Sequence, residues 1–445
     1  MKNYSPLLFA VMLCASLTNG QEQSKFTLAE AEEYAVAHSY KVTNATLGMD
    51  IAQKKIWETT AMGLPQVNVQ GNFQNLLYRP TSVVDATLFN PAAPPGSILA
   101  FQMGQKYNTS ATLNVNQLLF DGSYIVGLQF SKFYKQMSQT QVELTKQQVK
   151  QMTREAFYQL VVAKKNLQLL DSLIPVTEQI WKQMQIMLDV GVSGSEPADQ
   201  MELAYNGIKS SQASAARHVE IAISLLKLQM GYDQEKSIEI SATFEEVLAA
   251  VTASAVTGNE LSVKSNSNFV LLEQQHIANE YSLKNQKATL YPSLGAFFMH
   301  SQNAYRNQFN FFNNQDWYPS TVWGINLSVP VTTSGMKMAR ISQAEIKLDE
   351  DENNLADLEN NLEFSAFRIR LSIQDALAMM KTEEANVQLA RKIYENAIKR
   401  EEVGTASAIL VTQLQSQALT AQGSYIAAVM QLFQLQLELD KLYNQ

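Results

Sequence analysis

Cysteine is nearly absent from this chain. Its 445 residues hold one, Cys14, and only four histidines. A disulfide scaffold, a zinc finger and an iron–sulfur site are excluded on that ground. Proline and glycine together contribute 29 residues, from 11 Pro and 18 Gly, too few for a low-complexity or collagen-like polymer. Charge is also scarce: Asp, Glu, Lys and Arg make up 17% of the chain, and the net charge is −8. A mildly acidic chain lacks the basic face that phosphate neutralisation demands, so nucleic acid is not its partner. What fills the gap is Asn, Gln, Ser and Thr, which give a polar but uncharged surface. Beyond the first 20 residues no apolar run reaches the length of a membrane-spanning helix.

The N-terminus reads as a secretory signal over residues 1–20: Lys2 as a thin basic region, Leu7 to Leu17 as the apolar stretch, and Thr18-Asn19-Gly20 before the cut. Cys14 lies inside the apolar stretch behind Leu13, a poor neighbour for lipidation. Cleavage near Gly20 leaves an exported chain with no thiol, which suits an oxidising compartment.

The rest of the chain repeats itself. Ala61-Met62-Gly63-Leu64-Pro65-Gln66-Val67 has a counterpart in Ala288-Thr289-Leu290-Tyr291-Pro292-Ser293-Leu294, 227 residues on. Leu113-Asn114-Val115-Asn116 before Gly122 is matched by Ile325-Asn326-Leu327-Ser328 before Gly335, and Val190-Gly191-Val192 by Val403-Gly404-Thr405. Such internal similarity is the first thing a fold assignment must respect. It divides the chain into a first repeat over 21–230, a connection over 231–259 that holds a short strand at Ser237 to Ile240 and a short helix, and a second repeat over 260–445. Each repeat reads helix, strand, strand, long helix, glycine turn, return helix.

The strand segments alternate. Gln66, Asn68, Gln70, Asn72 and Gln74 are polar, while Val67, Val69, Gly71 and Phe73 are apolar or small. Asn108, Ser110, Thr112, Asn114 and Asn116 oppose Tyr107, Ala111, Leu113, Val115 and Leu119. Trp323, Ile325, Leu327 and Val329 oppose Gly324, Asn326 and Ser328; the segment from Ser293 to Gln302 is less regular. A period of two means one apolar and one polar face, and about ten residues is the length of a tilted membrane strand. The polar face is amide and hydroxyl rather than Lys and Glu, as a wet lumen requires. Phe73, Tyr78, Tyr107, Phe120, Tyr291, Trp317, Tyr318 and Trp323 fall near strand ends, as an interfacial girdle would. Four strands cannot close a barrel, and open edges in hydrocarbon leave backbone groups unsatisfied at several kcal/mol each. The same pattern also fits a soluble amphipathic sheet packed on helices; in a membrane, several copies must share one barrel. The longer strand connection, Arg79 to Lys106 with Pro80, Pro91, Pro94 and Pro95, belongs on the outer side.

Two helical stretches, Ser123 to Val190 and Met336 to Val403, run about 67 residues each, roughly 100 Å at 1.5 Å per residue. Lengths of this order imply coiled-coil packing. Leu144, Val149, Met152, Ala156, Leu160, Ala163, Leu167 and Leu170 form an apolar stripe in the first. Pro175 is expected to bend it about a turn upstream. Return helices follow, Asp199 to Gly231 and Leu410 to Tyr443. The fold class is thus mainly α with β: long antiparallel helical hairpins forming an α-barrel, with four strands per copy given to a shared transmembrane β-barrel.

Taken in order, these motifs resemble the TolC-like outer-membrane efflux family. The residues that carry the resemblance are Thr27-Leu28-Ala29-Glu30-Ala31 leading to Leu64-Pro65, Tyr291-Pro292-Ser293-Leu294, Gln117-Leu118-Leu119-Phe120-Asp121-Gly122, and the turns Val190-Gly191-Val192 and Val403-Gly404-Thr405. It spans residue 26 to the end. The resemblance implies a homotrimer with a twelve-stranded barrel in the outer membrane of a Gram-negative bacterium and a twelve-helix periplasmic tunnel. Such a duct serves a tripartite pump or type I secretion. Its partners are an inner-membrane RND or ABC transporter and a periplasmic adaptor. By the same resemblance Val190, Gly191, Val192, Val403, Gly404 and Thr405 gate the duct and meet the adaptor. Glu196 and Asp199 would form an acidic pore ring; the second turn continues Ile409-Leu410-Val411-Thr412-Gln413 with no acid, which weakens any cation selectivity and leaves an apolar constriction as an alternative. The two acids equally suit the positive end of a helix.

No catalytic constellation competes. Gly191-Val192-Ser193-Gly194-Ser195 lacks the lysine of a phosphate loop, and His38, His218, His276 and His300 show no metal-ligand spacing. Neither an enzyme nor a cofactor or metal site is expected. The second reading is a periplasmic coiled-coil adaptor with a small β domain. A membrane-embedded, detergent-extracted protein distinguishes the duct from it.

Overall fold

The computed structural model describes residues 24–257, 262–313 and 315–443. The signal sequence expected over 1–20, with Cys14, lies outside the described residues. In chain order the elements are β1 (Ser24–Phe26), α1 (Leu28–His38), α2 (Tyr40–Met62), β2 (Gln66–Asn75), β3 (Thr81–Asp85), β4 (Ile98–Gln102), β5 (Tyr107–Phe120), α3 (Gly122–Asp189), α4 (Ser195–Met230), β6 (Ile238–Ile240), α5 (Phe244–Thr257), α6 (Ser267–Ala288), β7 (Ser293–Arg306), β8 (Tyr318–Ser328), α7 (Met336–Glu402) and α8 (Ala408–Tyr443). The long helices α3 and α7 have 68 and 67 residues, and the return helices α4 and α8 have 36 each. Pro175 lies inside α3, which continues through it. The return helices begin a few residues before the positions read from the sequence, because Ser195 and Ala408 already follow the glycine turns. Among the described residues no helix is long and apolar enough to cross a membrane.

The chain forms two compact units. The first gathers the described residues within 24–45, 142–267 and 359–443. Its long helices bury narrow stripes. In the middle of α7 the buried residues Leu362, Ala366, Ile369, Ile373 and Ala376 are spaced four and three apart. That is the seam of a coiled coil, in which apolar residues recur every 3.5 positions. The expected stripe of α3 is there in part: Val149, Ala156, Leu160 and Leu170 are buried, and Leu144, Met152, Ala163 and Leu167 are half-buried. Phe157, Tyr158, Val161 and Val162 are buried besides, since α1, β6 and α5 join the same core. A second core near the glycine turns joins Ile180, Met184, Ala198, Met201, Tyr394, Ala397, Ala408 and Val411. Gln415 of α8 donates to Thr177 of α3 within this unit.

Two features of this unit escape periodicity. β1 pairs in parallel with β6, Ser24 opposite Ile238 and Phe26 opposite Ile240. The helix that opens the first repeat breaks at Ser39, whose backbone is extended (φ −69°, ψ 127°). A capping box starts α1, with the Thr27 hydroxyl accepting from Glu30 N–H and the Glu30 carboxylate accepting from Thr27 N–H at 2.8 Å. α4 ends at Gly231 (φ +65°), where a Cβ would stand 2.8 Å from the His38 carbonyl oxygen. Only glycine suits both the left-handed backbone and that close approach.

At the centre of this unit a buried charge cluster ties three helices. Arg154 of α3 donates from Nε to Glu32 Oε1 of α1 and from Nη1 to Asp440 Oδ2 of α8, both at 2.8 Å. Gln436 donates to the other Asp440 oxygen at 2.8 Å and to Ser254 of α5 at 3.1 Å. Burial alone would pull the guanidinium toward neutrality; the Glu32 hydrogen bond and the two carboxylate charges outweigh it and hold its pKa above the ordinary value. Burial pushes the adjacent Tyr158 phenol up to about 12. Removing Arg154 strands two carboxylates away from water, a loss of about 3–5 kcal/mol for a buried pair. We predict that Arg154→Ala markedly lowers the thermal unfolding midpoint in detergent. An unchanged midpoint would show that the cluster is solvated.

Candidate functional site

The second unit comprises Thr46–Gln141 and Asn268–Leu358 and is built on a four-stranded antiparallel sheet in the order β2-β5-β7-β8. Its register decides what each face presents. Val67, Val69 and Gly71 stand opposite Val115, Leu113 and Ala111. Leu113 faces His300, and Val115 faces Phe298. Leu294, Ala296 and Phe298 in turn face Leu327, Ile325 and Trp323. All these side chains share one face. On the other, Gln66, Asn68, Gln70 and Asn72 meet Asn116, Asn114, Thr112 and Ser110, and Thr112 and Asn114 meet Ser301 and Met299. Asn114 donates to Asn68 Oδ1 at 3.1 Å, and the Thr112 and Ser301 hydroxyls lie 3.0 Å apart. The alternation read from the sequence is therefore continuous across the strands. A lone copy leaves both faces open at the edges: Val69 on β2 is 71% exposed and Trp323 on β8 is 76% exposed. Neither β2 nor β8 has a further strand neighbour among the described residues.

The blurred alternation of β7 has a local cause. Phe297 occupies the polar face opposite Gly324, and a Cβ on Gly324 would come within 2.9 Å of its ring. The glycine leaves room for an aromatic ring that breaks the pattern. His300 interrupts the apolar face instead, with Nδ1 2.7 Å from the Thr321 hydroxyl. Among the described residues no group of three or more His, Cys, Asp or Glu side chains is placed to hold a metal.

Aromatic rings cluster at one end of the sheet. Phe73 and Tyr107 stack 6.2 Å apart, and Phe309 and Phe311 from the β7–β8 loop meet both edge-on. Phe120 and Tyr291 lie at the other end, where the strands meet the helices. Trp323 departs from the expected girdle, for it lies in mid-strand opposite Phe298. The connection 79–106, expected as a proline-rich loop, contains a hairpin in which Thr81–Asp85 pairs with Ile98–Gln102.

The strand-to-helix junctions are fixed by short-range bonds. Asp121 accepts from the Ser123 hydroxyl and, at 3.0 Å, from Tyr124 N–H, which caps α3. Burial raises the Asp121 pKa, but these hydrogen bonds outweigh it and hold the carboxyl below its usual range. Gln117 reaches back to the Gly63 carbonyl at 2.7 Å. Gly63 leaves the space that the Tyr124 ring occupies.

The two glycine turns, in the first unit, share one construction. Gly191 (φ +74°) donates to Leu188, while Val192 and Ser193 donate to Met187. Gly404 (φ +70°) donates to Glu401, while Thr405 and Ala406 donate to Arg400. Each closes its helix with a left-handed glycine, as helix C-termini require. Val190, Val192 and Val403 point outward at 66%, 76% and 72% exposure. Glu196 occupies the first turn of α4, and both it and Asp199 are exposed. In the second turn Val411 is fully buried and Ile409 exposed.

The turns differ in charge more than the sequence reading allowed. Lys399 and Arg400 end α7, and Arg400 donates from Nη2 to the Thr405 carbonyl at 3.3 Å. Basic residues in a last helical turn complement the dipole and were a legible signal. α3 has no base in its last turn, whereas in α7 the two bases are followed in sequence by Glu401 and Glu402, so the second turn carries charges of both signs.

Residues 262–445 match the family model described as "Outer membrane efflux protein". A comparison with curated proteins gives no match. Among solved structures, the outer membrane protein VceC from Vibrio cholerae shares the fold with a TM-score of 0.67 at 14% identity, over 94% of this chain and 96% of that one. CusC gives a TM-score of 0.71 at 12% identity, over 94% and 92% of the two chains. The Campylobacter jejuni CmeC outer membrane channel gives 0.64 at 14% identity, over 100% and 92%. The resemblance read from the sequence motifs thus stands: the chain has the fold of TolC-like outer-membrane channels, and its second half carries the outer membrane efflux protein signature.

Proposed function

We propose that the protein is a passive export duct in a Gram-negative outer membrane, formed by three copies whose four-stranded sheets close one twelve-stranded barrel. The observation that carries this reading is the sheet itself: mostly apolar on one face, uncharged and amide- and hydroxyl-rich along β2 and β5 on the other, and, among the described residues, unpaired along the outer edges of β2 and β8. The apolar face meets lipid, the amide face lines water, and the edges of neighbouring copies satisfy each other. The same order of helix, two strands, long helix and return helix occurs twice in the chain, so residues 21–230 and 260–445 act as two repeats and each copy supplies two helical hairpins to an α-barrel. The family match over the second repeat and the channel fold over the whole chain support this reading.

The helices reach into the periplasm, where the turns at Val190-Gly191-Val192 and Val403-Gly404-Thr405 form the gate and meet a periplasmic adaptor. An inner-membrane RND or ABC transporter drives the cargo. Exposed valines beside a left-handed glycine give each turn an apolar, sterically thin knob for a partner's helices. Glu196 and Asp199 add an acidic ring on the first turns only.

Two outcomes follow. Membranes carrying the full-length protein release it only with detergent, and unboiled samples run on gels as a heat-sensitive species of about three copies; recovery from the soluble periplasm as a monomer contradicts the duct. Gly404→Trp puts a bulky ring on a left-handed residue at the turn, and it is expected to abolish export while the oligomer still forms. Undiminished export by that variant removes the turns from the gate.

A further inference from the structure

Resting on the duct proposed above, we infer that the polar wall of its strand-lined part carries no fixed charge and passes ions of either sign, so that a single charge placed in the amide row of β2 makes the duct sort ions by sign. The polar faces of β2, β5, β7 and β8 contain no Asp, Glu, Lys or Arg. The one charged residue in the four strands is Arg306, which shares the face of Tyr107 and Phe73. Arg306 is buried on the face away from the amide row: Nη1 donates to the Tyr305 carbonyl at 3.1 Å and Nη2 to the Asp316 carbonyl at 2.6 Å, while Nε has no partner among the described residues.

In place of charge stand Gln66, Asn68, Gln70, Asn72 and Gln74, one amide at every second position of β2. A side-chain amide offers a carbonyl to a cation and an NH₂ to an anion, so a strip of them solvates both. A fixed charge behaves otherwise: it repels like ions over a Debye length, about 8 Å at physiological salt, and charged rings are what sort ions in pores. The neighbouring strands present hydroxyls and amides to this row, among them Thr112 opposite Gln70 and Asn114 opposite Asn68. No adjacent charge therefore offsets one introduced there.

The test is reversal potential in planar bilayers, with purified full-length protein and a KCl gradient. In the Glu196→Gln/Asp199→Asn background, which removes the acids of the first turn, Gln70→Glu is expected to raise the K⁺ to Cl⁻ permeability ratio several-fold. Gln70→Lys is expected to lower it several-fold. Asn72→Asp, nearly isosteric, repeats the first arm if the Gln70 variants insert poorly. Channels that insert and conduct with a ratio unmoved by all three substitutions overturn the assignment of the amide row to the wall. Absence of conductance from the unaltered, membrane-inserted protein overturns the duct itself, and this inference with it.

Discussion

A β-sheet with open edges has no stable place in hydrocarbon, and this sheet has two. Among the described residues, β2 and β8 each have a strand neighbour on one side only, so each leaves backbone N–H and C=O groups unpaired by the sheet. Each such group left unsatisfied in lipid costs several kcal/mol. Water would satisfy the edges but not the apolar face, where Val67, Val69, Leu113, Val115, Ile325 and Leu327 lie side by side across the strands. Lipid would suit that face but not the edges. Copies of the chain that pair edge to edge resolve both demands at once. In the proposed barrel the uncharged polar face encloses water, which serves the amides that its own side-chain hydrogen bonds leave free.

The helical unit obeys a milder constraint. Its helices bury stripes spaced three and four residues apart and leave their other faces open, as helices in a coiled-coil array do. Reversal at the end of each long helix needs a left-handed residue, and Gly191 and Gly404 supply it with the same hydrogen-bond pattern. The two turns share a backbone but not a charge. Acids follow the first, whereas the second is preceded by Lys399, Arg400, Glu401 and Glu402, charges of both signs. Away from the turns, the Arg154 cluster binds the N-terminal and C-terminal helices to α3.

Periodicity is what made most of this legible. The absence of proline after Pro330 announced α7 and α8, and the amide alternation from Gln66 announced β2 and its polar face. Both glycine turns were visible as a repeated tripeptide. What stayed hidden depends on distant or local partners. The parallel pairing of β1 with β6 spans over two hundred residues and three residues per strand, too short for a pattern. The hairpin β3–β4 lies among prolines that read as loop. Ser39 breaks a helix with no proline or glycine to mark it. Trp323 is a mid-strand residue because β8 already begins at Tyr318, ahead of the alternation that the sequence shows. Arg154 meets Glu32 and Asp440 from 122 and 286 residues away. The site was therefore readable where its chemistry is repetitive, in strands and turns, and unreadable where it rests on single long-range contacts.

Disulfide capture between the two sheet edges tests the central claim most directly. In a Cys14→Ser background, one cysteine is placed at Val69 on β2 and a second is moved along β8 through Thr321, Trp323, Ile325 and Leu327. Oxidation of intact membranes is predicted to give covalent dimers and trimers for at least one β8 position, reversed by reductant and absent from either single-cysteine chain. Monomers at every position, from protein correctly placed in the membrane, would contradict a barrel shared between copies.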